Sequence, residues 1–185
     1  VRVSLSGPHG SGKTTLLAAL KEQKEFANID FLPEITRVIK QHGYGINEQG
    51  SEKTQILVIN KHMDNLFYHD NFITDRSLID GVVYSQYMYH IENMLSPAFM
   101  RYIDHLFDTY LTMYDAIFYI PAEFELHDDG VRSTNDVFYN FIKMGFEHQI
   151  VKAREIGANV VTVTGNPQER INIVLQEMRR LSSGT

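Results

Sequence analysis

Apolar side chains recur along this chain with two different periods, and the change from one to the other marks off its elements. Val1 to Ser6 alternates apolar or β-branched residues with polar ones, a period of two that predicts a strand. Leu16, Leu17 and Leu20 instead fall on one helical face. Ile29-Asp30-Phe31-Leu32, ended by Pro33, predicts a second strand, and a helix from Glu34 to about Gln41 follows, closed by Gly43 and Gly45. Residues 52 to 69 carry a helical pattern with Ile56, Ile59, Met63, Leu66 and Phe67 on one side. Asn71-Phe72-Ile73-Thr74 predicts a third strand, ending on Asp75-Arg76, and helices are expected over 79–91 and 97–112. Ala116-Ile117-Phe118-Tyr119-Ile120 is nearly all apolar, as in a strand covered on both faces of a parallel sheet. The polar, charged stretch 123–135 reads as a loop, 136–156 as a helix and 160–163 as the last strand, with Pro167 suited to the first turn of a closing helix.

Five short strands separated by helices predict an α/β fold, a five-stranded parallel sheet with helices on both faces in three layers. Right-handed crossovers then set the strand exits along one edge of the sheet. A chain of 185 residues suits a single domain, expected over 1–181, with a lid loop near 123–135 and a flexible tail at 182–185.

The first exit carries Gly7-Pro8-His9-Gly10-Ser11-Gly12-Lys13-Thr14, which fits G-x-x-x-x-G-K-[ST] at every fixed position, and a second hydroxyl, Thr15, follows. Strand, glycine turn and helix in that order is the context a phosphate-binding loop requires. Glycines let the backbone curl so that N–H groups converge on a phosphate, and the new helix adds the positive end of its dipole. The pattern assigns Gly7, His9, Gly10, Ser11, Gly12, Lys13, Thr14 and Thr15 to ATP, with Lys13 on the outer phosphates and the Thr14 hydroxyl on Mg²⁺.

The other exits carry charge. Asp75, an acid closing an apolar strand, has the form of a Walker B carboxylate that holds Mg²⁺ or accepts a proton; the plainer reading is a turn or helix-capping aspartate. Arg76 beside it would hold an acceptor's phosphate, or form a structural ion pair with Asp80. Glu34, leaving the second strand, can face an acceptor hydroxyl as general base, and Arg37 lies one helical turn on; alternatively Glu34 only favours the helix dipole. Arg132 in the polar loop can swing onto the γ-phosphate. Asn166, with Gly165 and Arg170, sits at the last exit, where such folds pack adenine.

Composition trims these options. A net charge of −6 argues against a broad surface tracking nucleic-acid phosphates, although a local basic patch around Arg37, Lys40 and Lys61 is still open. The absence of cysteine removes disulfides, thiolate chemistry and zinc–sulfur sites. No apolar run approaches the ~20 residues of a membrane helix, and the strand at the very start leaves no room for a signal peptide, so an intracellular, cytoplasmic protein is expected. The eight histidines are scattered without metal-ligand spacing. Asn60-Lys61-His62-Met63-Asp64 misses the guanine-reading N-K-x-D by one residue, and Asp128-Asp129-Gly130 lacks calcium-loop spacing. Tyr84, Tyr87, Met88 and Tyr89 read as helix core before they read as a base-stacking wall.

Taken together, these motifs resemble the P-loop nucleoside and nucleotide kinases from Arg2 to Arg180. Within that group the Glu34–Arg37 pair, Asp75-Arg76 and the D-G-x-R loop at Asp129–Arg132 are most similar to AAA_28-type proteins, which include ribosylnicotinamide-kinase-like domains and phage-encoded kinases. The resemblance implies a P-loop kinase-like sandwich. It makes Asp75-Arg76 the counterpart of the Asp-Arg or Glu-Arg motif of thymidylate and deoxynucleoside kinases, Glu34 the acid near the acceptor and Arg132 a lid arginine. The chain lacks the Arg-Glu-Pro-Gly run of thymidylate kinases and has a single lid arginine, so the acceptor stays open. The expected activity is Mg²⁺-ATP-dependent phosphotransfer to a nucleoside or nucleotide, with Glu34 or Asp75 receiving the acceptor's proton. Alternatives are a kinase of hydroxymethylated bases in DNA and an NTP-driven binding module without a small acceptor.

Overall fold

A computed structural model describes residues 1–45, 50–122 and 136–183. The expected lid loop at 123–135, with Arg132, lies outside the described residues. The five strands are β1 (Arg2–Ser6), β2 (Asp30–Leu32), β3 (Phe72–Asp75), β4 (Ala116–Tyr119) and β5 (Val160–Thr162). The helices are α1 (Lys13–Lys21), α2 (Ile35–Gln41), α3 (Glu52–Tyr68), α4 (Leu78–His90), α5 (Pro97–Tyr110), α6 (Asp136–Glu155) and α7 (Pro167–Ser183). All strand pairings are parallel, in the order β2-β3-β1-β4-β5. The chain leaves central β1 for one side of the sheet and later crosses to the other. Its connections therefore diverge at the carboxyl end of β1, where open α/β sheets form their binding crevice.

Strand alternation builds the three layers. Val3, Leu5, Ile73, Ala116, Phe118 and Ile120 point to one face, where they pack with Leu16 and Leu20 of α1 and with Val174, Leu175 and Met178 of α7. Phe72, Ile117 and Tyr119 point to the other, into the larger cluster under α3, α4, α5 and α6. Tyr84, Tyr87 and Met88 are buried in that second cluster, in line with the core reading of the tyrosine stripe.

The helical stripe of α3 needs rotating from its expected position. Ile56 and Phe67 are 38% and 53% exposed. The buried side runs instead through Gln55, Val58, Ile59, His62, Met63 and Leu66. Ile59, Met63 and Leu66 are buried as expected, but the buried face also takes in the polar side chains Thr54, Gln55, His62 and Asn65, which a count of apolar residues leaves out. Val58 packs against Ile35 and Ile39 of α2, so α3 is covered on two sides.

The start of α4 is anchored to β1. Ser77 is its N-cap: its hydroxyl accepts from the Ile79 N–H at 3.1 Å, while its own N–H donates to Asp80 Oδ2 at 3.1 Å, a complete capping box. The same hydroxyl lies 2.6 Å from Ser6 Oγ in the buried interior. Ser77→Ala removes the cap and leaves the Ser6 hydroxyl without its partner, a loss of about 1–3 kcal/mol. The expected result is a lower urea midpoint at unchanged slope; an unchanged midpoint would show that the cap carries no stability.

Candidate active site

The phosphate loop is shaped by contacts that leave no room for side chains at two positions. Gly7 has φ 152°, and a Cβ there would collide with the Ile120 carbonyl of the neighbouring strand's exit. Gly12, the N-cap of α1, is left-handed at φ 92°, with Arg170 Nη1 3.2 Å from where its Cβ would sit. Arg170, on α7, donates from Nη1 to the Ser11 carbonyl at 2.7 Å and from Nε to the Gly165 carbonyl at 2.9 Å, strapping the loop to the last strand's exit. His9 stacks on Phe138 and meets Tyr139 edge-on, so the loop also rests on the first turn of α6.

Lys13 is folded back over this loop. Its ammonium donates to the carbonyls of Gly7 at 2.6 Å and Pro8 at 2.8 Å, and the residue is buried rather than facing solvent. Burial pushes its pKa down to about 8, with Arg76 adding to the fall and Asp80, Asp75 and Glu34 opposing it. Thr14 donates its hydroxyl to Asp75 Oδ2 at 3.2 Å, which joins two residues 61 positions apart, both assigned above to the metal. Asp75 Oδ1 is buried and has no hydrogen-bond partner among the described residues. A carboxylate oxygen left bare beside a threonine hydroxyl fits Mg²⁺, which takes one or two protein carboxylates and completes its shell from phosphates and water. Asp75 ends β3 and caps no helix, since Ser77 caps α4.

Across the cleft, Glu34 sits at the N-cap position of α2 without capping it. Its carboxylate accepts from Thr36 Oγ1 at 2.8 Å, Arg37 Nε at 2.5 Å and Arg76 Nε at 3.3 Å. Burial alone would raise its pKa. The Arg76 charge, followed by the bonds from Thr36 and Arg37, outweighs burial and holds the carboxyl below its usual range. Arg76 is the junction: φ is 90°, its N–H donates to the Leu5 carbonyl at 2.8 Å, and its guanidinium lies between Glu34 and Asp80, which is 3.8 Å away. It also lies 5.2 Å over the Tyr84 ring. Arg76 is thus ion-paired to Asp80 and also lines the cleft beside the phosphate loop.

That cleft is lined by His9, Lys13, Thr14, Glu34, Asp75 and Arg76, with Gly10, Gly12, Thr15 and Arg37 around them. A second pocket, on the far side of α1, is lined by Gly12, Thr15, Leu16, Gly165 and Arg170. Asn166 stands beside it, but its Oδ1 accepts from the N–H groups of Gln168 and Glu169 and so caps α7. A third hollow behind Arg76 is walled by Thr36, Gln55, His62, Asp80 and Tyr84. Gln55 and His62 were missed in the sequence; the signal was there, as polar residues seven apart that share a face with Val58, Ile59, Met63 and Leu66.

Glu34→Gln leaves Arg76 and Arg37 short of a carboxylate. The folded pKa of Glu34 is lowered, so its contribution to stability is fully present above about pH 4.5 and is lost as pH falls through the folded value. The variant is expected to unfold about 1–3 kcal/mol more easily at pH 7, with the gap closing below about pH 4.5. Urea titrations of both proteins at several pH values measure it, and a gap independent of pH would mean that the carboxylate charge is not what holds the cluster.

The comparisons with known proteins fall in line with this geometry. A solved deoxyadenosine kinase from M. mycoides, with the products dCMP and a flexible dCDP bound, matches with a TM-score of 0.70 at 14% identity, over 98% of this chain and 100% of that one. NadR protein in complex with NR matches with a TM-score of 0.70 at 19% identity, over 96% of this chain and 51% of that one. Thymidylate kinase from Ehrlichia chaffeensis matches with a TM-score of 0.61 at 18% identity, over 94% and 96%. At these identities the likeness is one of fold. Among curated proteins, none matches the chain in sequence. The model of the AAA_28 family, described as an AAA domain, matches residues 2–170, and the chain belongs to that family.

Proposed function

We propose that this protein transfers the γ-phosphoryl group of ATP to a nucleoside or nucleotide. One observation carries the reading: the phosphate loop faces a second cluster, Glu34, Arg37 and Arg76, across one cleft, and a hollow walled in part by Asp80 and other polar side chains opens behind Arg76. A module that only hydrolyses or senses ATP needs the loop, Thr14 and Asp75. It has no use for a buried arginine held between two carboxylates on the acceptor side. The kinases that share the fold support the same reading.

In this scheme the triphosphate lies along the loop, and its oxygens replace the Gly7 and Pro8 carbonyls as partners of Lys13. Adenine takes the pocket between α1 and α7, beside Arg170 and Gly165. Thr14 and Asp75 hold Mg²⁺, which when bound neutralises charge on the phosphate oxygens. Arg76 and Arg37 orient the acceptor, and Arg132 acts as lid arginine. The acceptor oxygen attacks the γ-phosphorus in line, the bond to the bridging oxygen of ADP breaks, and the acceptor's proton passes to Glu34 or Asp75. Glu34 is a weakened base while Arg76, Thr36 and Arg37 hold it, and becomes a stronger one once an acceptor draws those arginines away.

Phosphorylation of a base within DNA calls for a basic rim, and this rim is largely neutralised: Arg37 pairs with Glu34, and Lys61 lies 4.0 Å from Asp64. No helix among the described residues is long and apolar enough to cross a membrane.

The test is an acceptor screen with ATP across ribo- and deoxynucleosides, their monophosphates, a pyridinium nucleoside and hydroxymethylated DNA. Transfer to a nucleoside or monophosphate is expected, and ATP hydrolysis with no transfer to any of them overturns the reading. With an acceptor in hand, Lys13→Met is expected to lower kcat by on the order of 10²–10³-fold. Asp75→Asn should raise the Mg²⁺ needed for half-maximal rate, whereas Glu34→Gln should lower kcat at unchanged Mg²⁺ dependence. The reverse pattern would exchange the two acids' roles.

A further inference from the structure

The hollow behind Arg76 contains a side chain to which the scheme above gives no task. His62, on α3, is 0% exposed, and neither Nδ1 nor Nε2 has a hydrogen-bond partner among the described residues. Buried polar atoms almost always find partners, and two orphaned nitrogens on one ring mark a place where something outside the fold supplies them. On the same walls, Asp80 Oδ1 and the Tyr84 hydroxyl also lack a hydrogen-bond partner among the described residues, whereas other polar groups there are engaged. Gln55 accepts from Ser85 Oγ at 3.2 Å and places its amide 3.1 Å from the Met88 sulfur. Asp80 is held by the Ser77 N–H and Arg76.

We propose that His62 is a specificity-determining residue that reads the hydrogen-bonding edge of an uncharged ring on the acceptor, one nitrogen donating and the other accepting. The inference rests on the phosphotransfer reading and narrows its substrate class to nucleosides or nucleotides with a neutral base. Arg76 lines both the hollow and the phosphate cleft. An acceptor whose sugar or phosphate lies at Arg76 and Glu34 therefore presents its reacting oxygen to the phosphate loop and its ring to His62. The hollow has room for a water molecule rather than a base, so entry of the ring requires Arg76 to swing away from Tyr84.

Neutrality follows from the surroundings. Burial, with Arg76 adding to it, pushes the His62 pKa down to about 3, so near neutral pH the imidazole offers one donor and one acceptor. The hollow opposes any other ring bearing a fixed positive charge for the same reason: it is poorly solvated and faces the Arg76 guanidinium, and the one carboxylate on its wall, Asp80, is already paired with that arginine. A pyridinium nucleoside is therefore the disfavoured acceptor, and a purine or pyrimidine nucleoside the favoured one.

The test compares the parent with His62→Phe, which fills similar space without polar atoms, and His62→Gln, which keeps a donor and an acceptor. Each is assayed for KM and kcat with a neutral-base nucleoside or nucleotide and with a pyridinium nucleoside, together with ATP affinity and melting temperature. The parent is expected to prefer the neutral base. His62→Phe should raise KM for it by about tenfold or more, erode the preference, keep its ATP affinity and melt no lower than the parent, since an orphaned polar group has left the core. His62→Gln should recover part of the selectivity. Unchanged selectivity in both variants overturns the proposal, and a lowered melting temperature with unchanged selectivity assigns the histidine to the core instead. If His62→Phe does not fold, the His62→Gln selectivity alone decides. A parent that transfers only to the pyridinium nucleoside sinks this inference and leaves phosphotransfer standing, whereas a parent with no acceptor sinks both.

Discussion

A guanidinium removed from water must be neutralised by what surrounds it, and Arg76 is where this structure meets that demand. Its backbone follows β3 directly and is tied to β1 through the Leu5 carbonyl. Its side chain needs Glu34 from the exit of β2 and Asp80 from the first turn of α4. Burial disfavours its charge, and Tyr84, Asp80 and Glu34 together reverse that effect and hold its pKa raised. Three strand exits and a helix start are thereby pinned in register around one cation. Glu34 could not stay buried without Arg76, and α2 would lose the contact that fixes its entry beside the phosphate loop. The left-handed backbone at Arg76 costs of order 1–3 kcal/mol, which the surrounding ion pairs and hydrogen bonds must offset.

How much of this was legible in the sequence depends on the range of the interaction. The phosphate loop is local: its glycines, lysine and threonines are contiguous, and the strand before and helix after it are read from periodicity alone. The strand exits are nearly as legible, because five short strands separated by helices imply a parallel sheet, and a parallel sheet brings its exits to one edge. Pairings across 42 residues, such as Glu34 with Arg76, were legible only as residue types at matching exits. Nothing in the sequence states that Lys13 folds onto the Gly7 and Pro8 carbonyls, because that contact depends on the curl of the loop rather than on residue type.

The failure on α3 had a different origin. A helical stripe read from apolar residues assumes that the buried face is apolar, and this one carries Gln55 and His62 among Val58, Ile59, Met63 and Leu66. Ile56 and Phe67 were drawn into the stripe because they sit close to the right angular position and are hydrophobic. Of the polar residues on that face, Thr54, Gln55 and His62 line the hollow behind Arg76. The rule broke down at a candidate site, where local consistency gives way to chemistry.

The charges of the cleft suggest how binding is made selective. Lys13, Arg37 and Arg76 are set against Glu34, Asp75 and Asp80, so the charges of the site are balanced internally. A ligand gains little by offering charge alone, because each contact it makes replaces one that exists. A triphosphate can do so at the loop, where Lys13 trades two carbonyls for anionic oxygens and the backbone N–H groups gain a partner. In the proposed scheme an acceptor would do so at Arg76 and Arg37, and in drawing them away would uncover Glu34 where a base is needed. In the proposed phosphotransfer, exchange of partners at Arg76 and Arg37 would couple acceptor binding to the basicity of the carboxylate those arginines now hold.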